Sequence, residues 1–296
     1  MKTSLLLLSI TAGVLFPYGQ EYTFLIRYFL MILLFFAFID IKFDKEIITI
    51  RHFIILFVII AAALTIYIIV NLFNAEAAQA AFITAIGPTA IAAPVIISLK
   101  KGKVEFVIFS LLLNNIVITL LIPFLLPFIA SKNGGVSFSD ILLPVIITLL
   151  IPFVFAQLTK YTVPKVWSFL VDWKDSSFYL LILNIYIATS DASDYIRNES
   201  PDKYGLLILI GLLSGMLCLF MFSLGWIIGG KKYAVESSQS LGQKNNAFTI
   251  WIAATYMNPI AVIGPVFYVL FQNIYVSWEL FLHNSNSKKI KEVIND

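Results

Sequence analysis

Long apolar runs joined by short polar connections make up most of this chain. They predict ten membrane-spanning helices, at 3–17, 22–39, 48–74, 76–99, 104–129, 139–159, 174–193, 204–229, 233–256 and 259–283. A helix needs roughly 20 residues to cross a hydrocarbon core of about 30 Å. The period-two alternation of a membrane β-barrel is missing. The first run is short and follows Lys2, as a secretory leader would, but no A-x-A cleavage pattern comes after it, so it is read as a span.

Two spans are interrupted at their middle. The fourth breaks at Gly87-Pro88-Thr89-Ala90-Ile91-Ala92-Ala93-Pro94 and the ninth at Gly242-Gln243-Lys244-Asn245-Asn246. Glycine admits unusual backbone angles, and proline lacks a donor and clashes with the preceding turn, so Gly87, Pro88 and Pro94 account for the first break. In the second, Gly242 is the breaker and four polar side chains follow it. A break inside a bilayer strands backbone N–H and C=O groups, at several kcal/mol each unless protein, water or a ligand satisfies them. Gly87 and Gly242 lie 155 residues apart in a chain of 296. Paired interruptions at corresponding positions of two halves point to the binding site of a secondary transporter.

Spans three to five compare with spans eight to ten, and five helices per half send the second half into the membrane upside down. The expected architecture is one all-α integral membrane domain over 1–296. It consists of two inverted five-helix repeats at about 1–130 and 131–283 and a short cytoplasmic tail at 284–296. The broken helices, fourth and ninth, then cross antiparallel near the bilayer centre.

Composition supports this class: 60% of residues are hydrophobic and 12% charged, with a mean hydropathy of +0.92, whereas soluble domains carry about a quarter charged. Alternate connections hold fifteen Lys and Arg residues, among them Lys42, Lys45, Arg51, Lys100, Lys101, Lys103, Lys231 and Lys232; the opposite ones hold three, Lys132, Arg197 and Lys203. Cytoplasmic loops collect the excess of cations, which puts both termini in the cytoplasm of a multi-pass protein of the cell's inner membrane. The net charge of +3 is a by-product of this asymmetry; no basic stripe with interleaved aromatics suggests a nucleic-acid partner. The segment with Asp191, Asp194, Glu199 and Asp202 reads as an outward, solvated connection. Cys218 reads as core, and His52 and His283 as interfacial side chains too isolated for a zinc site. Neither H-E-x-x-H nor a pair of intramembrane aspartates is present, so no enzyme is expected.

Lys244 is the basic residue deep in a span that cannot easily reach an interface, and an intramembrane ionisable group marks a functional site by default. Structural alternatives pair it with Glu236 or Glu76, or have it cap carbonyls freed by the break. Around it stand Ser240, Gln243, Asn245, Asn246 and Thr249; Thr89 lies in the first break, and Asn114, Asn115 and Thr119 in span five. The candidate substrate- and ion-binding set is therefore Thr89, Asn114, Asn115, Thr119, Ser240, Gln243, Lys244, Asn245 and Asn246. The positive ends of the half-helices that follow the breaks, together with Lys244, favour an anionic group.

The chain resembles the bile acid:sodium symporter family across almost its whole length. The resemblance rests on Gly-Pro-Thr-Ala at 87–90, similar to the family's Gly-Gly-Thr-Ala, on Pro123 through Pro127 at the end of span five, and on Gly242-x-x-Asn245. It implies crossing broken helices and alternating access, with helices one, two, six and seven as a panel against a core. It also implies a small organic anion as substrate. The family's sodium ligands fall here on Ile91, Ala92, Ser240 and Lys244, two apolar groups, a hydroxyl and an ammonium. Sodium is thus expected to be dispensable, with Lys244 supplying the cation charge. A buried lysine also changes proton occupancy readily, since desolvation disfavours its charged form. No cofactor is expected, and sodium or proton remain as coupling ions. The alternatives are a sodium-coupled symporter with altered sites and a non-transporting receptor or scaffold on the same fold. An arsenite permease would place a cysteine in span four, which has none. The oligomeric state is left open by the sequence.

Overall fold

The structure is a computed structural model that describes residues 2–39, 48–130, 137–199 and 204–295. Within these residues every regular element is helical. Helices α1 (Lys2–Leu15) and α2 (Leu25–Phe38) are joined by a 3-10 turn at Pro17–Tyr22; α3 (Ile50–Asn71), α4 (Ala75–Ala85), α5 (Ala93–Leu99) and α6 (Val104–Ile129) follow. The rest comprises α7 (Phe138–Thr162), α8 (Pro164–Asp172), α9 (Ser177–Glu199), α10 (Tyr204–Gly242), α11 (Asn246–Tyr256) and α12 (Ile263–Asn295), the last preceded by a 3-10 turn at Pro259–Val262.

Local chemistry starts several of these helices. The Asn74 side chain accepts from the backbone N–H of Ala77 at the start of α4, and Ser137 with Asp140 forms a reciprocal capping box at the start of α7. Asn245 caps α11 in the same way through Phe248 N–H.

Five segments among the described residues are long and apolar enough to cross a membrane: α3, α6, α7, α10 and Pro259–His283. The other expected spans differ for physical reasons. Spans one and two shrink to 14-residue helices, about 21 Å long at 1.5 Å per residue. Span four is divided into α4 and α5; the 39-residue α10 holds span eight and the first half of span nine, and α11 the second half. Non-helical angles at Gly230 and Tyr233 kink α10 between spans eight and nine. Helix α8 was not expected. Asp191 and Asp194 lie on α9 rather than in a loop, because Ala188, Ala192 and Ile196 bury at helical spacing beside them. His52 is fully buried rather than exposed at the edge of its span: its Nδ1 lies 2.8 Å from Ser110 Oγ, and its ring packs 4.0 Å from that of Phe106. Lys42, Lys45, Lys132, Lys203 and Asp202 lie outside the described residues.

Packing divides the helices into two groups. Helix α9 packs on α1 and α2, and α2 on α7, while α3, α4, α5, α6, α10, α11 and α12 pack around the two breaks. The groups meet where α11 and the 3-10 turn at Pro259–Val262 lie against α9, where α11 also touches α2, where α12 touches α1 and α9, and where α6 touches α7. Large apolar side chains such as Phe57, Ile68, Phe128, Leu212 and Ile227 are exposed on the outer faces, as lipid-facing helices require.

Candidate functional site

The two breaks lie against each other. Helix α4 ends at Ala85 and α5 resumes at Ala93; α10 ends at Gly242 and α11 resumes at Asn246. Between these ends the chains form an antiparallel bridge pairing Thr89 with Lys244. Ala90 N–H donates to the Gln243 carbonyl at 2.9 Å, and Asn245 N–H to the Pro88 carbonyl at 2.8 Å. Each interruption thus satisfies polar groups stranded by the other, which removes much of the cost of breaking a helix in a bilayer.

Pro94 sits in the first turn of α5, where its missing N–H has no helical partner to lose. Gly242 is the last residue of α10, and its role is close approach: a Cβ there would stand 2.3 Å from Cγ of Phe222. Gly87 faces Thr249 and Lys244 across the crossing.

Side chains extend the bridge into a network. The Thr89 hydroxyl donates to the Ser240 carbonyl at 2.6 Å and accepts from Asn114 Nδ2 at 2.7 Å. Asn115 Nδ2 donates to the Thr89 carbonyl at 3.0 Å, and Asn245 Nδ2 donates to Asn115 Oδ1 at 3.4 Å. Gln243 donates to Gln239 Oε1, and Gln239 to a Glu279 carboxylate whose other oxygen lies 2.5 Å from Lys100 Nζ. A chain of polar side chains therefore leads from the C-terminal end of α5 to the second break. Thr119 is buried one helical turn beyond Asn115, and its hydroxyl joins none of these bonds.

Eight of the nine candidate residues come together at the crossing. Sequence reasoning missed Gln272 of α12, whose Oε1 accepts from Lys244 N–H at 2.8 Å and from Asn246 Nδ2 at 3.3 Å. It also missed Tyr268, whose hydroxyl donates to the Gly242 carbonyl at 2.7 Å. Gln272 and Asn273 are neighbouring polar residues inside an apolar span, a signal of the kind that singled out Asn114 and Asn115.

Lys244 carries the electrostatics of the site. It is 1% exposed, and Nζ has no hydrogen-bond partner among the described residues. Neither suggested acid pairs with it: Glu236 accepts from Lys103 N–H at 2.9 Å, and Glu76 from Asn258 Nδ2 at 3.2 Å. Asn114 Oδ1, Asn246 Oδ1 and the hydroxyl of Ser240 are likewise buried without partners. A buried ammonium with no counter-charge is costly and is balanced by an anion or by loss of its proton. Beside it lies the N-terminal end of α11, where backbone N–H groups add positive potential.

Thr89→Val tests whether the crossing holds together through this hydroxyl. The substitution keeps the shape and leaves the Ser240 carbonyl and Asn114 Nδ2 unpaired, so a loss of about 1–3 kcal/mol is expected in thermal or denaturant unfolding of the purified protein. An unchanged midpoint would show that other contacts suffice.

A model of the SBF-like CPA transporter family matches residues 26–272. No curated protein matches the chain.

Proposed function

The chain belongs to the SBF-like CPA transporter family, a bile acid:sodium symporter-like group of membrane transporters, and from that premise we propose that it carries a small organic anion across the membrane by alternating access without requiring sodium. The observation that supports this reading best is the buried ammonium of Lys244 at the crossing of the two breaks, without a hydrogen-bond partner among the described residues. In this reading the anion sits against Lys244 and the start of α11. The ammonium does what a bound cation does elsewhere in the fold: it balances substrate charge and the carbonyl ends of α4 and α10. Proton exchange at the same nitrogen is a natural coupling step, since intramembrane ionisable groups serve as proton relays.

The two packing groups fit the expected panel of helices one, two, six and seven against a core holding both breaks, and the 155-residue offset fits two inverted five-helix repeats. The distribution of Lys and Arg supports a topology with both termini in the cytoplasm. Tyr195 of α9 and Glu76 of α4 share Asn258, at 3.4 and 3.2 Å, a polar tie between panel and core on the opposite side.

A second reading, sodium-coupled symport, draws on the unpartnered oxygens of Asn114, Thr119 and Ser240, which are ligands a cation would accept. Uptake into proteoliposomes, measured for a panel of carboxylate and sulfonate anions with sodium replaced by choline, separates the two. Saturable uptake of at least one anion is expected to persist in choline and to vary with pH. Strict dependence on sodium would favour the second reading, and no flux for any anion would favour a receptor or scaffold.

A further inference from the structure

Arg51, Lys103 and Lys232 come from three separate places, the first turn of α3, the residue before α6 and the junction inside α10, yet their side chains meet at one ring. Arg51 Cζ lies 5.5 Å, Lys103 Nζ 5.0 Å and Lys232 Nζ 5.1 Å from the centroid of Tyr233. The ring is buried and held in place: it stacks at 4.7 Å on Phe106, which packs in turn on the buried His52. Lys103 and Lys232 are exposed and Arg51 is half-buried, so the cluster is open to ligands.

Three cations around one ring repel one another, and a cation–π contact at an exposed site returns only about 0.5–1 kcal/mol. No carboxylate of the described residues forms an ion pair with any of the three. Glu236, the acidic side chain on this stretch of α10, accepts at Oε1 from the backbone N–H of Lys103. Arg51 uses Nε on the Ile228 carbonyl at 3.3 Å, which leaves the rest of its guanidinium fork available.

The backbone is bent to bring these residues together. Gly230, two residues before Lys232, has φ 56° and ψ −156°, a conformation nearly restricted to glycine. Lys101, two residues before Lys103, has φ 58°, rare for a residue with a side chain. These are the positive-φ positions among the described residues, and both flank the cluster. Because α3 and α6 begin here and the first leg of α10 ends here, the cluster lies where apolar spans meet the headgroup layer.

We propose that Arg51, Lys103 and Lys232, gathered around Tyr233, form a binding site for an anionic phosphate group at headgroup depth. Arg and Lys are the side chains that hold phosphate oxygens through charge-assisted hydrogen bonds. The group is carried either by a membrane lipid or by a soluble phosphate, and the site is separate from the crossing at Lys244.

The test uses the full-length protein in nanodiscs of phosphatidylcholine, with and without phosphatidylglycerol, reading the thermal unfolding midpoint. In a parallel arm, inorganic phosphate or pyrophosphate is titrated into phosphatidylcholine nanodiscs, with chloride matching ionic strength. Phosphatidylglycerol is expected to raise the midpoint of the wild type, and the triple variant R51Q/K103Q/K232Q to lose that shift. The variant K288Q/K289Q/K291Q, which removes the same charge elsewhere, keeps it. Should the triple cluster variant fold poorly, Lys232→Gln alone changes an exposed side chain and should need about fivefold more phosphatidylglycerol for the half-maximal shift. A shift seen with soluble phosphate but not with the lipid assigns the site to a free phosphate. The proposal is overturned if neither ligand shifts the wild type, or if the cluster variants respond as the wild type or as the control does.

Discussion

Lys244→Met is expected to abolish uptake and, at the same time, to raise the thermal unfolding midpoint of the purified protein. The two effects have one cause. Lys244 is 1% exposed and its ammonium has no hydrogen-bond partner among the described residues, so the folded protein carries the cost of a desolvated charge that the unfolded chain does not. Methionine fills a similar volume without the charge, and replacing buried ionic groups by apolar ones of similar size often stabilises by about 1–4 kcal/mol. The backbone N–H of Lys244 donates to Gln272 and its carbonyl accepts from Asn246, and neither bond involves the side chain that is changed.

Function moves the other way. If the ammonium holds the substrate anion, its removal costs about 2–5 kcal/mol of anion affinity, roughly a 30-fold loss or more. Gain of stability with loss of activity is the usual signature of a strained functional group. Unfolding midpoints and uptake of the same preparation decide the matter: a lowered midpoint with retained uptake would make Lys244 a structural tie and sink the transport role. Lys244→Gln, which also lacks the charge, should flatten the pH dependence of any residual uptake.

Gly242→Ala should be among the most damaging single substitutions in the molecule. The added Cβ would meet three ring carbons of Phe222 at 2.3, 2.4 and 2.6 Å, far inside contact distance. The ring has little room to withdraw, because Phe222 is fully buried and stacks on Tyr275 at 4.0 Å. Overpacking of this kind costs about 1–3 kcal/mol and sometimes more, and here it acts at the residue that leads into the second break. The Gly242 carbonyl also accepts from Tyr268, so a shift of α10 strains that bond as well.

Reduced yield of folded protein, a lower midpoint and loss of uptake are expected together. The double variant G242A/F222L distinguishes a steric cause from any other: the smaller side chain opens the space and should recover much of the lost stability. Without recovery, the glycine is required for backbone reasons instead.

Class and breaks were legible from the sequence because a bilayer acts as a solvent with strict local rules. Apolar runs must be long, stranded backbone groups must be rare, and a lysine in mid-span has no cheap explanation. Composition, the paired interruptions and the singularity of Lys244 all follow from residues read one segment at a time. Span ends were less secure: α2 covers only Leu25–Phe38 of the expected 22–39, since helix ends depend on how the next element packs, whereas the expected boundary between spans eight and nine coincides with the non-helical angles at Gly230 and Tyr233.

The partners at the site were decided by tertiary structure. Thr89 bonds to the Ser240 carbonyl 151 positions away, Asn245 reaches Asn115 across 130, and Gln272 arrives from α12 to hold the backbone of Lys244. The same holds for His52, buried against Phe106 rather than exposed, and for the convergence of Arg51, Lys103 and Lys232 on Tyr233. Hydrogen bonds and contacts reward geometry rather than nearness along the chain, so polar residue types are visible in one dimension while their pairing is settled by how the helices pack in three.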